Sequence, residues 1–433
     1  MYISGSAQGE VPTNNGQGTK ENLLAPKILI ATTVRWFPTP RLVMALARAG
    51  FYVEAVCPRK HPLQKTSVIH KIHSYDGFVP TVSFSDAIAA SAPDLVVPGD
   101  EYAVQCLRKV YDRAAGDTAE PIRRLIEKSL GPSESFRILA SRTAVMQLAR
   151  EESIRVPRTE VIRNVSDLRR CSEEFLFPFV LKADGTSSGE GVRIVRTIEE
   201  AKRGFRTLRA PLSAVRVVKR VLVDQEREFV LPTLLRQGHQ VNAQELVDGT
   251  DATSMAACWR GDVLARIHFE VVKKQYKNGP ASVMRRMELP EMDLAISRVV
   301  KRLNLSGFHG FDFLIEKGSG NPFLVEVNPR PTQVGHLTLG AGRDLPAALY
   351  AAVANTPVAE APPITQNDTI ALFPQEWVRN PSSMFLRSAY HDIPWEEPEL
   401  IRAGTRQSRG WGFWSRGRKW ATLLLPDRDS NEP

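Results

Sequence analysis

The residues best suited to chemistry lie on a predicted β-hairpin, in which the apolar runs FDFLIE and FLVEVN flank the loop KGSGN. A five-residue loop pairs Glu316 with Pro322, and counting back places Asp312 opposite Glu326. Directly paired side chains lie about 5 Å apart, and Asn328 shares their face because strand side chains alternate. Two carboxylates and an amide oxygen suit Mg²⁺ or Mn²⁺ held partly through nucleotide phosphates. The alternative, the solvated face of an ordinary hairpin, is disfavoured by the otherwise apolar strands.

A second motif, KADGTSSGEGV, has the form of a strand end followed by a loop rich in glycine and serine. Lys182 lies at the strand end, and the loop offers backbone N–H groups and hydroxyls that can approach an anion. It is not a Walker loop, because no G-K-[ST] closes it and no helix follows directly. Such loops are common, but beside the hairpin this one predicts a lid over nucleotide phosphates, with the candidate residues Lys182, Gly185, Ser187, Ser188, Gly189 and Gly191.

The elements that carry these motifs predict an α/β fold. Short apolar strands alternate with helices over residues 27–130 and predict a parallel, Rossmann-like layer, without the G-x-G-x-x-G that would bind a dinucleotide. Residues 131–355 contain both motifs, with a small lid lobe at about 177–247. Residues 1–26 are predicted to be a disordered tail, and residues 356–433 a C-terminal extension with a basic aromatic tail.

Composition excludes several classes of protein. With 433 residues, 42% hydrophobic and 24% charged, the chain is an ordinary globular protein and not a collagen-like, disordered or disulfide-scaffold chain. Lys and Arg outnumber Asp and Glu by 57 to 48, which gives +9 and suggests an anionic partner: nucleic acid, a membrane surface or a phosphorylated small molecule. Four scattered cysteines and the absence of a long apolar run or a secretory signal favour the cytoplasm.

Together the motifs resemble the ATP-grasp superfamily, in particular its carboxylate–amine ligase-like members and the carbamoyl phosphate synthetase large chain. The resemblance covers about residues 27–355, and its most specific part is FDFLIEKGSGNPFLVEVNPRP. It implies a Rossmann-like pre-ATP-grasp domain followed by the two-lobed ATP-grasp fold. It also implies ATP as cofactor, together with Mg²⁺ or Mn²⁺.

The resemblance implies roles for individual residues. Asp312, Glu326 and Asn328 would bind the metal. Lys182 would contact ATP phosphate or adenine, and Arg142, where the family usually has a lysine, would contact phosphate. The segment QELVDGTD resembles the adenine hinge and the acidic residue beside the ribose, with the candidates Glu245, Leu246, Val247 and Asp251, although the segment 210–240 offers a competing hinge. Arg330 would face the acyl phosphate or carboxylate, which makes it and Lys182 the expected catalytic residues.

The implied reaction converts a carboxylate to an acyl phosphate and joins it to an amine, with release of ADP and phosphate. Its partners would be small-molecule carboxylate and amine substrates, without nucleic acid, and a homodimer is possible. One alternative is a biotin-dependent carboxylase subunit, which would need a separate carrier because the chain has no M-K-M. Another is a non-catalytic ATP-binding regulatory protein. Nucleic-acid binding would instead show steep salt dependence.

Three further features have structural interpretations. His309 falls on the opposite face from Asp312 and is predicted to be a packed histidine. His336 either touches substrate or packs within its loop. The tail GWGFWSRGRKWATLLLP interleaves basic and aromatic residues, which suits a membrane surface or nucleic acid, but a helix docked on the protein's own core is favoured.

Overall fold

The structure, a computed structural model, describes residues 25–184, 191–210, 239–276 and 279–405. Most of the predicted N-terminal tail and the whole basic aromatic tail lie outside these ranges. Within them the chain forms two four-stranded sheets and one seven-stranded sheet. None of the described helices combines the length and the apolarity needed to cross a membrane. The predicted α/β class is confirmed by this arrangement.

The first sheet is a parallel layer in which Ile28 and Ile30 point into one apolar core and Leu29 and Ala31 into another. Helices cover both faces, so the strands are buried almost throughout. The strand order β3-β2-β1-β4 reverses between β1 and β4, and a crevice is expected there at the carboxyl ends of the strands. The elements are β1 (Lys27–Ala31), α1 (Pro38–Arg48), β2 (Tyr52–Val56), β3 (Lys71–His73), α2 (Pro80–Ser91), β4 (Leu95–Pro98), α3 (Glu101–Arg113) and α4 (Ala119–Leu130).

A small antiparallel sheet, with strand order β5-β8-β6-β7, follows two connecting helices. The helix Ile198–Arg209 begins with a capping box, because the Thr197 hydroxyl accepts from the Glu200 N–H at 3.2 Å and the Glu200 carboxylate accepts from the Arg196 N–H at 2.7 Å. The elements are α5 (Ser133–Leu139), α6 (Arg142–Glu151), β5 (Thr159–Ile162), α7 (Val165–Glu174), β6 (Phe179–Ala183), β7 (Val192–Val195), α8 (Ile198–Arg209) and β8 (Val241–Glu245).

The seven-stranded sheet has the order β13-β12-β9-β10-β11-β14-β15. Its last two strands come from the segment that was predicted as a C-terminal extension, so the predicted boundary at 355 falls between a helix and two strands of one sheet. The elements are β9 (Gly249–Trp259), β10 (Asp262–Lys274), β11 (Ala281–Arg286), α9 (Pro290–Leu303), β12 (Gly307–Glu316), β13 (Pro322–Asn328), α10 (Leu345–Ala354), β14 (Thr369–Leu372), α11 (Gln375–Arg379), α12 (Phe385–Ser388) and β15 (Tyr390–Asp392).

The two faces of this large sheet have different neighbours. On one face Met255 and Phe269 share an apolar core with Ile28 of the parallel layer. On the other face Phe311 and Phe313 pack against α6 and α9. Because strand side chains alternate, Asp312 lies on the face that the parallel layer approaches. The fold therefore brings the carboxyl ends of the first sheet towards the hairpin β12–β13, which carries Asp312 and Glu326.

Candidate active site

The hairpin β12–β13 pairs Asp312 with Glu326, as the sequence predicts. The register at the loop differs from the prediction, because Ile315 and not Glu316 pairs with Pro322. A bulge at Val325, between the pairs Phe313–Leu324 and Asp312–Glu326, restores the register on the way to the site. The bulge thus aims the Glu326 carboxylate at Asp312.

Asp312 lies in a partly buried polar environment. Its Oδ1 accepts from the Thr253 hydroxyl at 2.9 Å, and its Oδ2 accepts from Nδ2 of Asn328 at 3.1 Å. Burial and the nearby negative charge of Glu326 raise the pKa of Asp312 to about 6, although the two hydrogen bonds and the charge of Arg330 act in the opposite direction. Two carboxylates held this close favour a cation between them.

Arg142, the first residue of α6, connects this hairpin to the small sheet. Its Nη2 donates to Glu326 Oε1 at 2.6 Å, and its Nη1 donates to the carbonyl oxygen of Ala183 at 2.8 Å. Its Nη1 also lies 3.7 Å from the carboxylate of Asp184. A guanidinium can make these contacts at once because its donors form a rigid fork. Arg142 therefore lies where both sheets meet.

Lys182 enters the same region from β6, where it pairs with Val192 on β7 and Asn242 on β8. Burial and the positive charge of Arg142 lower the pKa of Lys182 to about 8, while the charges of Glu326, Asp312 and Asp251 act to raise it. Lys182 therefore lies close enough to Asp312 and Glu326 for their charges to affect its pKa.

Arg330 follows β13 and lies between the hairpin and the parallel layer. Its Nη2 is 3.5 Å from Oδ1 of Asn328, and its Nε is 3.7 Å from a carboxylate oxygen of Glu101. Its guanidinium carbon lies 5.5 Å from the centre of the Trp36 ring, a cation–π distance. Sequence reasoning missed Glu101 and Trp36, although Glu101 opens a helix at the carboxyl end of β4, a usual position for site residues.

Glu101 is the centre of a wider charged cluster. Burial raises its pKa, and the negative charge of Glu326 adds to this, whereas the positive charges of Arg330, Arg108 and Arg142 lower it. The Nε atoms of these three arginines are buried without a hydrogen-bond partner among the described residues. Buried unpaired donors are costly. Two of these arginines, Arg142 and Arg330, also reach Glu326 and Asn328, so their unpaired donors favour an anionic ligand on the hairpin side of the cluster.

The donor set fits a divalent cation that is also bound by a nucleotide. In the described ranges, no group of three or more His, Cys, Asp or Glu side chains could hold a metal ion. Asp312 and Glu326 supply two carboxylates, and Asn328 adds an amide beside them. Mg²⁺ typically uses one or two carboxylates and takes its other ligands from water and phosphates.

The predicted adenine hinge lies where the chain passes from β8 of the small sheet to β9 of the large one. Glu245, the last residue of β8, pairs with Arg158 through two contacts of 3.2 Å. Leu246 is partly exposed, and Val247 follows it. Asp251 on β9 is half exposed and lies 2.7 Å from the ammonium of Lys274. The competing hinge at 210–240 lies almost entirely outside the described residues.

The glycine loop is described only at its ends. Gly185, Ser187, Ser188 and Gly189 lie outside the described residues. Gly191 is buried, and its carbonyl oxygen accepts from the N–H of Ala183 at 2.9 Å. The loop therefore starts and ends beside Lys182.

The two histidines both pack within the protein. His309 is fully buried and hydrogen-bonded to the carbonyl oxygen of Ser306 at 2.9 Å, as predicted for a packed residue. His336 is buried 2.6 Å from the carboxylate of Asp392, so packing and not substrate contact is its observed role. None of the four cysteines forms a disulfide, and all four are buried.

Residues 141–341 match the family model for the ATP-binding domain of the carbamoyl-phosphate synthase L chain. The chain carries an ATP-grasp domain. This ATP-grasp protein is also 25% identical over 353 residues to the formate-dependent phosphoribosylglycinamide formyltransferase of Ignicoccus hospitalis, with coverage of 78% of this chain and 79% of the relative.

Solved structures share the fold at lower identity. One is the biotin carboxylase domain dimer of the Hydrogenobacter thermophilus 2-oxoglutarate carboxylase with MgADP, at 13% identity and a TM-score of 0.56, covering 78% of this chain and 71% of that chain. Another is the N5-carboxyaminoimidazole ribonucleotide synthetase of Thermotoga maritima, at 17% identity and a TM-score of 0.51, covering 77% of each chain. The predicted superfamily and fold are confirmed.

Proposed function

We propose that this protein uses ATP and Mg²⁺ to convert a small-molecule carboxylate to an acyl phosphate and joins it to an amine, with release of ADP and phosphate. The observation that carries the proposal is the convergence of three parts of the chain on one region. The hairpin brings Asp312 and Glu326, the small sheet brings Lys182, and α6 brings Arg142 in contact with both.

The nucleotide would lie between the two sheets. Lys182 and Arg142 would contact its phosphates, and the glycine loop would cover them with Gly185, Ser187, Ser188, Gly189 and Gly191. The adenine would lie at the crossing from β8 to β9, against Glu245, Leu246 and Val247, with Asp251 towards the ribose. The negative charges of Glu326, Asp312 and Asp251 all act to raise the pKa of Lys182, so this lysine lies near the carboxylates of the proposed site, which supports the placement.

Asp312, Glu326 and Asn328 would hold Mg²⁺, or Mn²⁺ in its place. When bound, the cation would neutralise charge on the β- and γ-phosphate oxygens. The chain's own residues perform the rest by positioning. Arg142 fixes the Glu326 carboxylate through its 2.6 Å contact, and Thr253 and Asn328 fix the Asp312 carboxylate through their hydrogen bonds. Phosphoryl transfer depends mainly on such positioning and charge stabilisation.

The carboxylate substrate would bind beside Arg330. This guanidinium is close to both the hairpin and Glu101, and its buried Nε has no hydrogen-bond partner among the described residues. An anionic group would satisfy that donor. A carboxylate is a poor electrophile, so its oxygen must be phosphorylated before an amine can attack the carbon, and Arg330 would hold it in line for that step.

The predicted units 27–130 and 131–355 would provide the two walls of this site. Residues 356–405 add two strands to the same large sheet. The possible homodimer and the cytoplasmic location stay predictions.

The direct test is hydroxamate formation. Purified protein is incubated with ATP, Mg²⁺, hydroxylamine and a library of carboxylates, because hydroxylamine traps acyl phosphates whatever the natural amine is. We expect one class of carboxylate to give hydroxamate and ADP in equal amounts. A protein that forms no hydroxamate and no ADP with any carboxylate would contradict the proposal.

The same assay separates the alternatives. A biotin-dependent carboxylase would form ADP only with bicarbonate and biotin, and the fold shared with the Hydrogenobacter domain makes this control necessary. A regulatory protein would bind ADP in a calorimetric titration and form no product.

A further inference from the structure

Trp36 and Glu101, which follow the carboxyl ends of β1 and β4, lie beside Arg330, so the crevice expected between these strands is the natural place for the amine substrate. Such crevices at the carboxyl ends of parallel strands commonly bind ligands, and phosphate groups usually bind there at a helix N-terminus. The relatives in purine chemistry are named for phosphoribosyl compounds and ribonucleotides, which carry such a phosphate. The donors of this crevice therefore decide whether the amine substrate of this chain is phosphorylated.

The first turn of α1, which follows the loop after β1, offers no N–H group to a phosphate. Pro38 and Pro40 lack the donor, and the Thr39 N–H already donates to the carbonyl oxygen of Trp36 at 3.3 Å. The loop itself is bound to a carboxylate, because the N–H groups of Thr33 and Val34 donate to Asp100 at 2.6 and 3.2 Å.

Asp100 fixes this arrangement from the other side of the crevice. It is buried, and it also accepts from the hydroxyls of Thr32 and Thr33 at 2.7 Å each and from the Ala103 N–H at 2.8 Å. The start of α3 is thus capped by one carboxylate and followed directly by a second, Glu101. Two acidic side chains at this helix start repel a phosphate.

What the crevice offers instead is a carboxylate and an aromatic wall. Glu101 retains partial exposure, 26% of its side chain, and is held 3.7 Å from Arg330 without a hydrogen bond to it. Trp36, on the loop that Asp100 fixes, lies against the same arginine. The guanidinium carbon of Arg108 lies over the ring of Phe136, 5.5 Å from its centre. A carboxylate beside an indole suits an ammonium group.

We propose that the amine substrate of this protein is an unphosphorylated amine, such as an amino acid or amino alcohol, whose ammonium group binds Glu101 beside Trp36. The inference rests on the proposed function. The ammonium gives one proton to the Glu101 carboxylate, and the free nitrogen forms the C–N bond while the C–O bond to phosphate breaks. The nitrogen then gives its excess proton to the departing phosphate, and Glu101 later releases its proton to water.

The experiment uses matched amines with the carboxylate found in the hydroxamate assay. Ethanolamine is compared with O-phosphoethanolamine, L-serine with O-phospho-L-serine, and glucosamine with its 6-phosphate, with the rate of ADP formation as readout. We expect an unphosphorylated amine to be preferred at least about tenfold, because a phosphate would lie unpaired against two carboxylates. Preference for the phosphorylated amines, or acceleration by none of the unphosphorylated ones, would overturn the inference.

A variant tests the role of Glu101 separately. Glu101→Gln should raise the KM for the amine about tenfold or more and raise the KM for hydroxylamine much less, because hydroxylamine is uncharged at neutral pH and only the charged amine loses an ion pair. Glu120→Gln, an exposed carboxylate on α4, is the matched control and should change neither. An equal rise in KM for the amine and for hydroxylamine would overturn the assignment of Glu101 to the ammonium group. No hydroxamate from the unmodified protein would overturn the proposed function itself, and this inference with it.

Discussion

Two polar clusters in this protein are each centred on an aspartate and differ in how the carboxylates are satisfied. In the first, Asp312 faces Glu326 and its pKa rises to about 6. In the second, both oxygens of the buried Asp392 have side-chain partners, Arg41 on one and His336 at 2.6 Å on the other. Burial alone would raise the pKa of Asp392, but the charges and hydrogen bonds of these partners lower it to about 2.

The difference separates a binding site from a structural link. Asp392 ends β15 and joins the last strand of the large sheet to α1 and to the segment after the hairpin, and its partners complete it within the protein. In the Asp312–Glu326 pair, the charge of Glu326 still raises the pKa of Asp312, so the repulsion is only partly balanced by the neighbouring arginine and hydrogen bonds. Perturbed and incompletely satisfied groups of this kind cluster at functional sites.

The largest expected effect is on catalysis. Asp312→Asn or Glu326→Gln should lower the rate of ADP formation by about 10³-fold, because each removes charge that holds the cation and the phosphates in place. Initial rates at saturating ATP and carboxylate measure this. Glu316→Gln, on the same strand at the loop end, should stay within about twofold of the unmodified protein. Normal turnover by Glu326→Gln would show that the hairpin carboxylates take no part in catalysis.

Breaking the second cluster should act on stability instead. Asp392→Asn should lower the free energy of unfolding by about 3–5 kcal/mol, because it leaves Arg41 and His336 buried without their carboxylate. Urea denaturation followed by circular dichroism gives this value. The exposed Asp368, paired with Arg286, provides the control, since Asp368→Asn should change stability by less than about 1 kcal/mol. If the two variants lost the same free energy of unfolding, Asp392 would contribute no more to stability than an exposed ion pair.

The same substitution in the first cluster should have the opposite sign. Asp312→Asn should raise the free energy of unfolding in the absence of nucleotide by about 1 kcal/mol, because it removes repulsion from Glu326. The measurement is again urea denaturation, with the metal removed by EDTA. A destabilised Asp312→Asn protein would show that the hydrogen bonds from Thr253 and Asn328 outweigh the repulsion, and the contrast between the clusters would fail.

A smaller effect should appear as a pH dependence of folding. Burial, together with the charge of Arg108, lowers the pKa of His309 to about 4, despite its hydrogen bond to Ser306. The folded state therefore binds fewer protons than the unfolded state, so stability is complete above about pH 6.5 and falls as the pH falls from there towards 4.

At about pH 5.5 this single group should cost about 1 kcal/mol relative to pH 7.5. Denaturation curves at the two pH values measure the loss, and His309→Gln should reduce it by that amount. If the pH slope is the same in the variant, His309 does not contribute to acid sensitivity.

The sequence carries local information about the site and little about what approaches it from afar. Counting back from the predicted loop places Asp312 opposite Glu326, and this pairing is observed because the bulge offsets the error at the loop. The capping box at Thr197 is readable because its partners are three residues apart. The bulge at Val325 cannot be predicted from the sequence. It compensates for the pairing of Ile315 with Pro322 at the loop, and that pairing depends on the geometry of the turn. The predicted pairing at the site is correct although the pairing at the loop is not.

Glu101 and Trp36 are harder to predict, because they lie more than 200 residues from the hairpin along the chain. They reach Arg330 only because the parallel layer shares an apolar core with the large sheet. The strands after residue 355 are missed for a similar reason. β14 is defined by its pairing with β11, whose partner residues are distant in sequence.

The central claim is that the Asp312–Glu326 pair serves a nucleotide-bound cation. Calorimetric titration of ADP into the full chain, with Mg²⁺ or with EDTA, tests it most directly. We expect ADP to bind at least about tenfold more tightly with Mg²⁺, and this difference to disappear in Asp312→Asn while the Glu316→Gln control retains it. Equal ADP affinity with and without Mg²⁺ in the unmodified protein would contradict the claim.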